Sequence, residues 1–306
     1  MRLLTRSDFD GLACGTLLKE FGIIDHWKFI HPKDVQDGLV EVTENDVLAN
    51  VPYVKGCGMW FDHHSSEEQR LGKDLDFKGA CRLEDSAARV IYEYYRDKDP
   101  EGKFEAMIKA VDKVDAAKLT KDEILTPEGW VLLGFIMDPR TGLGRYRNFR
   151  ISNYELMEVL IYECAHKSID EILENPDVKE RVYLYFKQDE QFKEMLTAHT
   201  RTDGNAIITD LRGVDPIITG NRFTIYCLYP EQNISLWIID GKNKQNCPIA
   251  VGHSVLNRTC KTDVGALMLK HGGGGHFQVG TCQVPYEDAD RVIKELVDKI
   301  KSDEAS

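Results

Sequence analysis

The sequence lacks closely spaced cysteine pairs and long apolar runs. Its eight cysteines are scattered as single residues, which fits a reducing compartment better than a disulfide framework or a structural zinc site. Neither the N-terminus nor any later segment reaches the apolar length of a signal sequence or a membrane span. We therefore expect a cytoplasmic protein that does not associate with membranes.

Basic residues are scarce relative to acidic ones. The chain of 306 residues has 39 Lys and Arg against 51 Asp and Glu, a formal net charge of −12. Tight binding to long nucleic acid needs Lys and Arg to neutralise many phosphates, so long duplex nucleic acid is not expected as a partner. A small phosphorylated substrate held by a metal ion and a few local cations is compatible with this charge. The length favours two domains.

One apolar stretch ends abruptly in polar side chains. Met59–Phe61 is followed directly by Asp62, His63 and His64. A buried strand that ends in this way delivers ligands to the carboxyl edge of a parallel sheet, and carboxylate with imidazole suits Mn²⁺ or Zn²⁺. Because adjacent residues of an extended chain point to opposite sides, we expect only one of the two histidines to bind a metal from a given face. A surface histidine pair after an edge strand is the alternative.

Two further carboxylates follow the first predicted strand, Arg2–Thr5. Asp8 and Asp10 lie two residues apart, so on an extended segment they face the same way. A divalent cation would offset the repulsion between them. The apolar spacing beyond them predicts a helix over Leu12–Phe21, and a turn that caps this helix is the alternative role for the two carboxylates.

Apolar spacing predicts the remaining elements. The further predicted strands are 27–30, 46–52, 206–209, 223–228, 234–239, 249–251 and 278–283. The further predicted helices are 86–95, 104–117, 264–269 and 286–301, with a helical bridge over about 150–200 that is broken at Asn175-Pro176. The best domain boundary lies at Arg201–Gly204.

Two glycine-containing segments are candidates for anion binding. Gly272–Gly275 lies between His271 and His276, and a backbone without side chains can approach an anion closely with its N–H groups. A flexible turn is the alternative. The locally basic segment 137–147 could present an arginine to a phosphate, and an interdomain connector is an equally good interpretation.

Taken in order, these motifs resemble the DHH phosphoesterase superfamily. The matching segments are Asp8-Phe9-Asp10-Gly11, Asp62-His63-His64, an Asp within 112–115, and Gly272–His276, which is similar to the signature of the DHH-associated C-terminal domain. The layout is most similar to the nanoRNase/pAp phosphatase and exopolyphosphatase-like branch. The resemblance implies an α/β fold of two domains with a cleft between them. The first (1–200, including the bridge) would be a parallel-sheet DHH domain with helices on both faces, and the second (201–306) a smaller α/β substrate-binding domain.

The resemblance also implies roles for individual residues. The implied metal ligands are Asp8, Asp10, His63, Asp115 (with Asp112 as its alternative) and Asn50. The implied catalytic residues are Asp62, His63 and His64, with Asp62 orienting the His63 imidazole and His64 facing the substrate phosphate. The implied substrate-binding residues are Arg258, Gly273, Gly274, Gly275 and His276, although gap-free counting places Asn257 where relatives have the arginine.

Two departures from the family pattern affect the first metal site. Relatives have a His shortly before the first Asp, where this chain has Leu4 and Arg6. They have a bridging Asp at the end of the strand before Asp62, where this chain has Asn50, with Asp46 as a less well-placed substitute. The first metal site is therefore expected to be the weaker one, with Arg6 partly taking the place of the missing cation.

The predicted activity is that of a Mn²⁺-dependent phosphoric ester hydrolase, a phosphodiesterase or phosphatase. Metal-activated water would hydrolyse a small phosphorylated substrate such as a short oligonucleotide or pAp. We expect one or two Mn²⁺ per chain, with Mg²⁺ as a substitute, and a homodimer is compatible with the resemblance. A nucleotide- or phosphate-binding module with little catalysis and an exopolyphosphatase are the alternatives.

Overall fold

Five short strands form the first sheet of the structure, a computed structural model in which residues 1–64 and 76–304 are described. The strands are β1 (Arg2–Thr5), β2 (His26–Phe29), β3 (Asp46–Ala49), β4 (Met59–Asp62) and β5 (Gly79–Cys81). They lie in the order β2-β1-β3-β4-β5, and every pair is parallel, as predicted. Because parallel strands end at the same edge of a sheet, the residues after β1, β3 and β4 come together there.

Both faces of the sheet are buried at its three central strands, β1, β3 and β4, which explains why these strands are mostly apolar. Leu4, Leu48 and Trp60 are neighbours in the strand register and point to one face. Side chains from connecting segments cover this face, including Tyr53 and Phe77, whose rings pack against the indole of Trp60. The alternation of side chains sends the intervening residues of each strand to the opposite face.

Helices pack on that opposite face, among them Phe9–Glu20 and Ala87–Tyr94. The helices of the described residues up to 198 are α1 (Phe9–Glu20), α2 (Pro32–Gln36), α3 (Ala87–Tyr94), α4 (Glu105–Asp115), α5 (Lys121–Leu125), α6 (Gly129–Met137), α7 (Asn153–His166), α8 (Ile169–Leu173) and α9 (Pro176–Ala198). A Cβ added to Gly15 of α1 would lie 3.0 Å from Ile161 of α7 and 3.5 Å from Leu3 of β1. This glycine therefore lets α1 fit closely between the sheet and α7. The predicted break at Asn175-Pro176 is confirmed, since α9 begins at Pro176.

A second, mixed sheet lies in the C-terminal part of the chain. Its strands are β6 (Thr200–Asp203), β7 (Ala206–Asp210), β8 (Ile234–Ile238), β9 (Cys247–His253), β10 (Gly274–His276) and β11 (Val279–Val284). The order is β10-β11-β9-β8-β7-β6, and only β7 and β8 pair in parallel. The helices of this part are α10 (Thr224–Leu228), α11 (Val264–Leu269) and α12 (Ala289–Glu304). Val292, Leu296 and Ile300 form one face of α12 and belong to the core of this sheet.

One predicted element of the C-terminal part is wrong. Residues 223–228 were predicted as a strand, but Thr224–Leu228 is a helix. The side chain of Asn221 accepts a hydrogen bond from the Phe223 N–H, and its carbonyl accepts one from the Thr224 N–H, so a turn at Asn221 starts the helix. A short apolar run does not distinguish a strand from a helix.

The chain divides into two compact units. Unit 1 comprises Met1–Leu119 and Thr126–Lys187, and unit 2 comprises Thr120–Leu125 and Gln188–Ser306. The predicted domains at 1–200 and 201–306, and the cleft between them, stay predictions. None of the helices in residues 1–64 and 76–304 combines the length and apolar character needed to cross a lipid bilayer.

Candidate metal centre

Asp10 lies in the first turn of α1 and is almost completely buried, with 2% of its surface exposed. Its Oδ2 accepts a hydrogen bond from the N–H of Ala87 at 3.0 Å, and its Oδ1 accepts one from the N–H of Ala88 at 2.8 Å. These donors form the N-terminal end of α3, which carries a partial positive charge. Burial and the charges of Asp115 and Asp8 nevertheless raise the pKa of Asp10 well above its ordinary value. A cation beside Asp10 would offset each of these effects.

His63 presents a ring nitrogen to two carboxylates. Its Nδ1 lies 3.1 Å from the backbone carbonyl of Glu84, and since a carbonyl oxygen only accepts, Nδ1 carries the proton. Its Nε2 lies 3.3 Å from Oδ2 of Asp115 and 4.0 Å from Oδ2 of Asp10. Within the described part of the chain, this buried Nε2 has no hydrogen-bond partner. The three side chains thus offer ligand atoms within 4.8 Å of one another.

The donor set of Asp10, His63 and Asp115 fits a divalent cation. A neutral imidazole turns its Nε2 lone pair toward the two carboxylates, which is unfavourable until a cation lies between them. Two carboxylates and one imidazole suit Mn²⁺, and carboxylates with water suit Mg²⁺. At the same sheet edge, the Oγ1 of Thr5 and the Oδ1 of Asn50 are also buried without a hydrogen-bond partner among residues 1–64 and 76–304. Thr5 was not among the predicted site residues.

The two candidate carboxylates of α4 have different surroundings. Asp115 faces His63, and its side chain is 24% exposed. Asp112 instead cross-links α3 and α4, since its Oδ1 accepts from the Ser86 hydroxyl at 2.7 Å. Its Oδ2 accepts from Nε and Nη2 of Arg89 at 2.9 and 2.7 Å. The geometry therefore favours Asp115 over Asp112 as a metal ligand.

Asp8 immediately precedes α1, and its carboxylate has several protein partners. Its Oδ1 accepts hydrogen bonds from the N–H of Gly11 at 3.0 Å and from Nδ2 of Asn50 at 3.4 Å. Its Oδ2 lies 3.1 Å from Nε of Arg6. Asp8 thus caps the helix, which was the alternative considered for it, and Arg6 supplies a positive charge on its other side. A second cation at Asp8 would have to compete with these contacts.

Asp46 does not reach this site, so its interpretation as a substitute for a bridging carboxylate is wrong. It begins β3 and therefore lies at the amino edge of the sheet. There its carboxylate pairs with Arg2, the first residue of β1, through Nε at 2.7 Å and Nη2 at 3.1 Å. It also accepts from the backbone N–H and the hydroxyl of Thr43 at 2.7 and 3.0 Å.

Asp62 ends β4 and orients His64 rather than His63, which corrects the predicted role. Its Oδ1 lies 2.7 Å from Nδ1 of His64 and accepts the backbone N–H of His63 at 2.7 Å. The two imidazoles touch edge to face, with ring centroids 4.2 Å apart. The expectation that they point to opposite sides is therefore also wrong, because the chain leaves the strand at Asp62. Burial lowers the pKa of His64, but its hydrogen bond to Asp62 and the charge of Asp62 outweigh burial and raise that pKa overall.

The second half of the glycine run, Gly274 and Gly275, begins the edge strand β10. A Cβ added to Gly273 or Gly275 would lie 2.0 and 2.2 Å, respectively, from carbonyl oxygens of β11, so the pairing of β10 with β11 requires these glycines. A Cβ on Gly274 would meet nothing within 4 Å. Gly274 is therefore the position whose open side offers room for a ligand, and His276 is exposed at the end of the strand.

The two candidates for the phosphate-binding position lie before α11. The Nε of Arg258 donates to the carbonyl of Val255 at 3.0 Å. The side chain of Asn257 donates to the carbonyl of Glu231 at 3.1 Å. Both residues belong to unit 2, and their contribution to substrate binding stays a prediction, as does that of the glycine run.

Comparison with solved structures reveals relatives over the full length of the chain. The chain is similar to the pGpG-specific phosphodiesterase PggH from Vibrio cholerae, with 49% identity, a TM-score of 0.83 and coverage of 99% of both chains. Its fold is similar to the DHH domain of a protein described as a member of a family of ribosomal proteins, with 14% identity, a TM-score of 0.59 and coverage of 98% of this chain and 86% of that one. It is also similar to RecJ in complex with Mn²⁺ from Thermus thermophilus, with 11% identity, a TM-score of 0.52 and coverage of 98% of this chain and 52% of that one. Searches with protein-family models and among curated proteins found no match.

The parallel sheet with a DHH-type cluster at its carboxyl edge, followed by a mixed sheet, defines an α/β protein with a candidate divalent-metal site. The chain belongs to the DHH phosphoesterase superfamily.

Proposed function

We propose that this protein is a metal-dependent phosphodiesterase that hydrolyses pGpG or a similarly short oligonucleotide. The observation that carries the proposal is the cluster of Asp10, His63 and Asp115 in a chain 49% identical, over 99% of its length, to a pGpG-specific phosphodiesterase. The acidic balance of the chain, with a net charge of −12, supports a short substrate over a long nucleic acid.

Asp10, His63 and Asp115 would hold the principal divalent cation, Mn²⁺ or Mg²⁺. Asp8 and Asn50 would contribute to a second, weaker site, because Arg6 already lies 3.1 Å from the Asp8 carboxylate. When bound, the metal supplies a Lewis acid for the phosphoryl group and lowers the pKa of a water molecule. The N-terminal end of α3 keeps the Asp10 carboxylate in place through two N–H groups.

The remaining residues of the family pattern would act on the substrate. Asp62 accepts the Nδ1 proton of His64, which fixes the orientation of that ring, and the raised pKa of His64 favours the protonated form. A protonated imidazole donates to a phosphate oxygen. In unit 2, Gly273, Gly274, Gly275, His276 and Arg258 stay the predicted substrate-binding residues.

Hydrolysis of pGpG by the purified chain with Mn²⁺ tests the proposal. We expect release of GMP, and we expect His63→Ala to lower kcat/KM by several orders of magnitude because it removes a metal ligand. His166→Ala is the matched control, since this histidine is 41% exposed and pairs with Glu20 at 3.5 Å, away from the cluster. Failure to hydrolyse pGpG, or an unchanged rate in His63→Ala, would contradict the proposal.

Parallel assays separate the alternatives. Binding of pGpG without turnover would favour a nucleotide-binding module, whereas preferred hydrolysis of pAp or polyphosphate would move the substrate class to a phosphatase or an exopolyphosphatase. The predicted homodimer is tested by sedimentation of the purified chain, and the cytoplasmic location stays a prediction.

A further inference from the structure

A guanidinium group near the metal centre takes no part in the ligand set. Arg140 follows α6, and its side chain is half exposed. The carboxylate of Asp138, which is 7% exposed, accepts the backbone N–H of Arg140 at 2.8 Å and its Nε at 2.7 Å through one oxygen, Oδ1. Among residues 1–64 and 76–304, Asp138 is the only ion-pair partner of Arg140. The two terminal amino groups of this guanidinium are therefore available to a ligand.

The segment that carries Arg140 packs beside the metal centre. A Cβ added to Gly134 of α6 would lie 2.8 Å from Phe9 and 3.2 Å from Val114, which are the sequence neighbours of Asp10 and Asp115. After α6 the chain folds back toward this contact, since the Thr141 hydroxyl donates to the carbonyl of Phe135 at 2.7 Å.

The electrostatics agree with this position. Burial raises the pKa of Asp115, and the charge of Arg140 is one of those that oppose this effect. Arg140 therefore lies beside the ligand cluster, where an anionic group would approach it.

Arg140 differs from Arg6 in the carboxylate that it pairs with. Arg6 contacts a carboxylate at the metal centre directly, with its Nε 3.1 Å from Asp8. Within the described residues, the direct ion pair of Arg140 lies outside the ligand cluster, through Nε to Asp138, and this pair fixes the plane of the guanidinium. A planar group that is fixed at Nε presents its amino groups in the geometry that suits phosphate oxygens.

We infer that Arg140, oriented by Asp138, binds a phosphate oxygen of the substrate at the metal centre. The inference rests on the proposed phosphodiesterase function and deepens it, because it assigns a substrate-binding side chain to unit 1 in addition to those of unit 2. It also decides between the two interpretations of segment 137–147 in favour of anion binding.

Substitution of Arg140 tests the inference, with kcat and KM for pGpG, Mn²⁺ per chain and the thermal midpoint as readouts. Arg140→Gln should lower kcat/KM by about 10- to 100-fold, the effect of losing hydrogen bonds to a charged group. The Mn²⁺ content and the thermal midpoint should stay at wild-type values. Arg140→Lys should recover only part of the loss, because a lysine acts as a point charge. Arg147→Gln is the matched control, since it removes the same charge from an exposed position in the same segment.

Each outcome decides the inference. Equal kcat/KM in Arg140→Gln and Arg147→Gln would overturn the inference. Loss of Mn²⁺ from Arg140→Gln would also overturn it, because Arg140 would then act on the acidic side chains of the metal centre and not on the substrate. If the wild type fails to hydrolyse pGpG, the proposed function fails separately. Calorimetric binding of pGpG to the wild type and Arg140→Gln then tests the inference, and equal affinities would overturn it.

Discussion

Asp112 and Asp115, three residues apart on α4, should respond in opposite ways to replacement by asparagine. Asp115 lies 3.3 Å from Nε2 of His63, which carries no proton when Nδ1 donates to the Glu84 carbonyl, and burial raises the pKa of Asp115. Asp115→Asn should therefore leave the metal-free protein at least as stable as the wild type. Asp112 carries hydrogen bonds from Ser86 and Arg89, so Asp112→Asn should destabilise the protein with or without metal.

The expected magnitudes follow from these contacts. At a Mn²⁺ concentration 100 times the wild-type Kd, binding should add about 2.7 kcal/mol to the free energy of unfolding. If loss of the Asp115 carboxylate weakens Mn²⁺ binding by about 100-fold, that gain falls to about 0.4 kcal/mol. Asp112→Asn removes charge-assisted hydrogen bonds from an Arg89 side chain that is only 14% exposed. We expect a loss of about 2–3 kcal/mol, with the Mn²⁺-dependent gain unchanged.

Thermal and urea unfolding in EDTA and in Mn²⁺, together with isothermal titration of Mn²⁺, measure both effects. The assignment of Asp115 as a ligand is refuted if Asp115→Asn binds Mn²⁺ with wild-type affinity. A loss of Mn²⁺ binding in Asp112→Asn that exceeds its loss in Asp115→Asn would refute the distinction between the two carboxylates.

Two further predictions concern stability. Burial raises the pKa of Asp46, but its hydrogen bonds to Arg2 and Thr43 together outweigh burial and lower that pKa overall. The pair with Arg2 therefore stabilises the protein above about pH 4 and less as the pH falls below that value. Urea unfolding should therefore show Asp46→Asn to be less stable than the wild type by about 1–3 kcal/mol at pH 7, with a smaller difference at pH 3. An equal difference at the two pH values would contradict the role of the Asp46 charge. A Cβ on Gly273 would lie 2.0 Å from the carbonyl oxygen of Thr281, whereas a Cβ on Gly274 would meet no atom within 4 Å. Circular dichroism should therefore show a lower thermal midpoint for Gly273→Ala than for Gly274→Ala. Equal midpoints would argue against the pairing of β10 with β11.

Local patterns were sufficient to predict much of the sheet edge. Apolar strands followed by polar residues predicted that Asp10 and His63 come together, because parallel strands end at one edge. The structure brings their oxygen and nitrogen atoms to 4.0 Å. The predicted helix 86–95 likewise corresponds to α3, which Ser86 caps, since its hydroxyl accepts from the Arg89 N–H at 3.0 Å.

The remainder of the site depends on contacts that no local pattern encodes. The N–H groups of Ala87 and Ala88 hold Asp10 across more than 70 residues of sequence. Glu84 sets the tautomer of His63 through its backbone carbonyl alone. The residue type at position 84 therefore does not reveal this contact in the sequence. Asp46 was misplaced because its position at the amino edge becomes evident only from its partner, Arg2, in the parallel neighbour.

Release of GMP from pGpG by the metal-free chain, before and after addition of Mn²⁺, tests the central claim most directly. We expect no release in EDTA and two GMP for each pGpG once Mn²⁺ is restored. Absence of GMP at saturating Mn²⁺, or equal rates in EDTA and Mn²⁺, would contradict the assignment of this cluster as the metal centre of a phosphodiesterase.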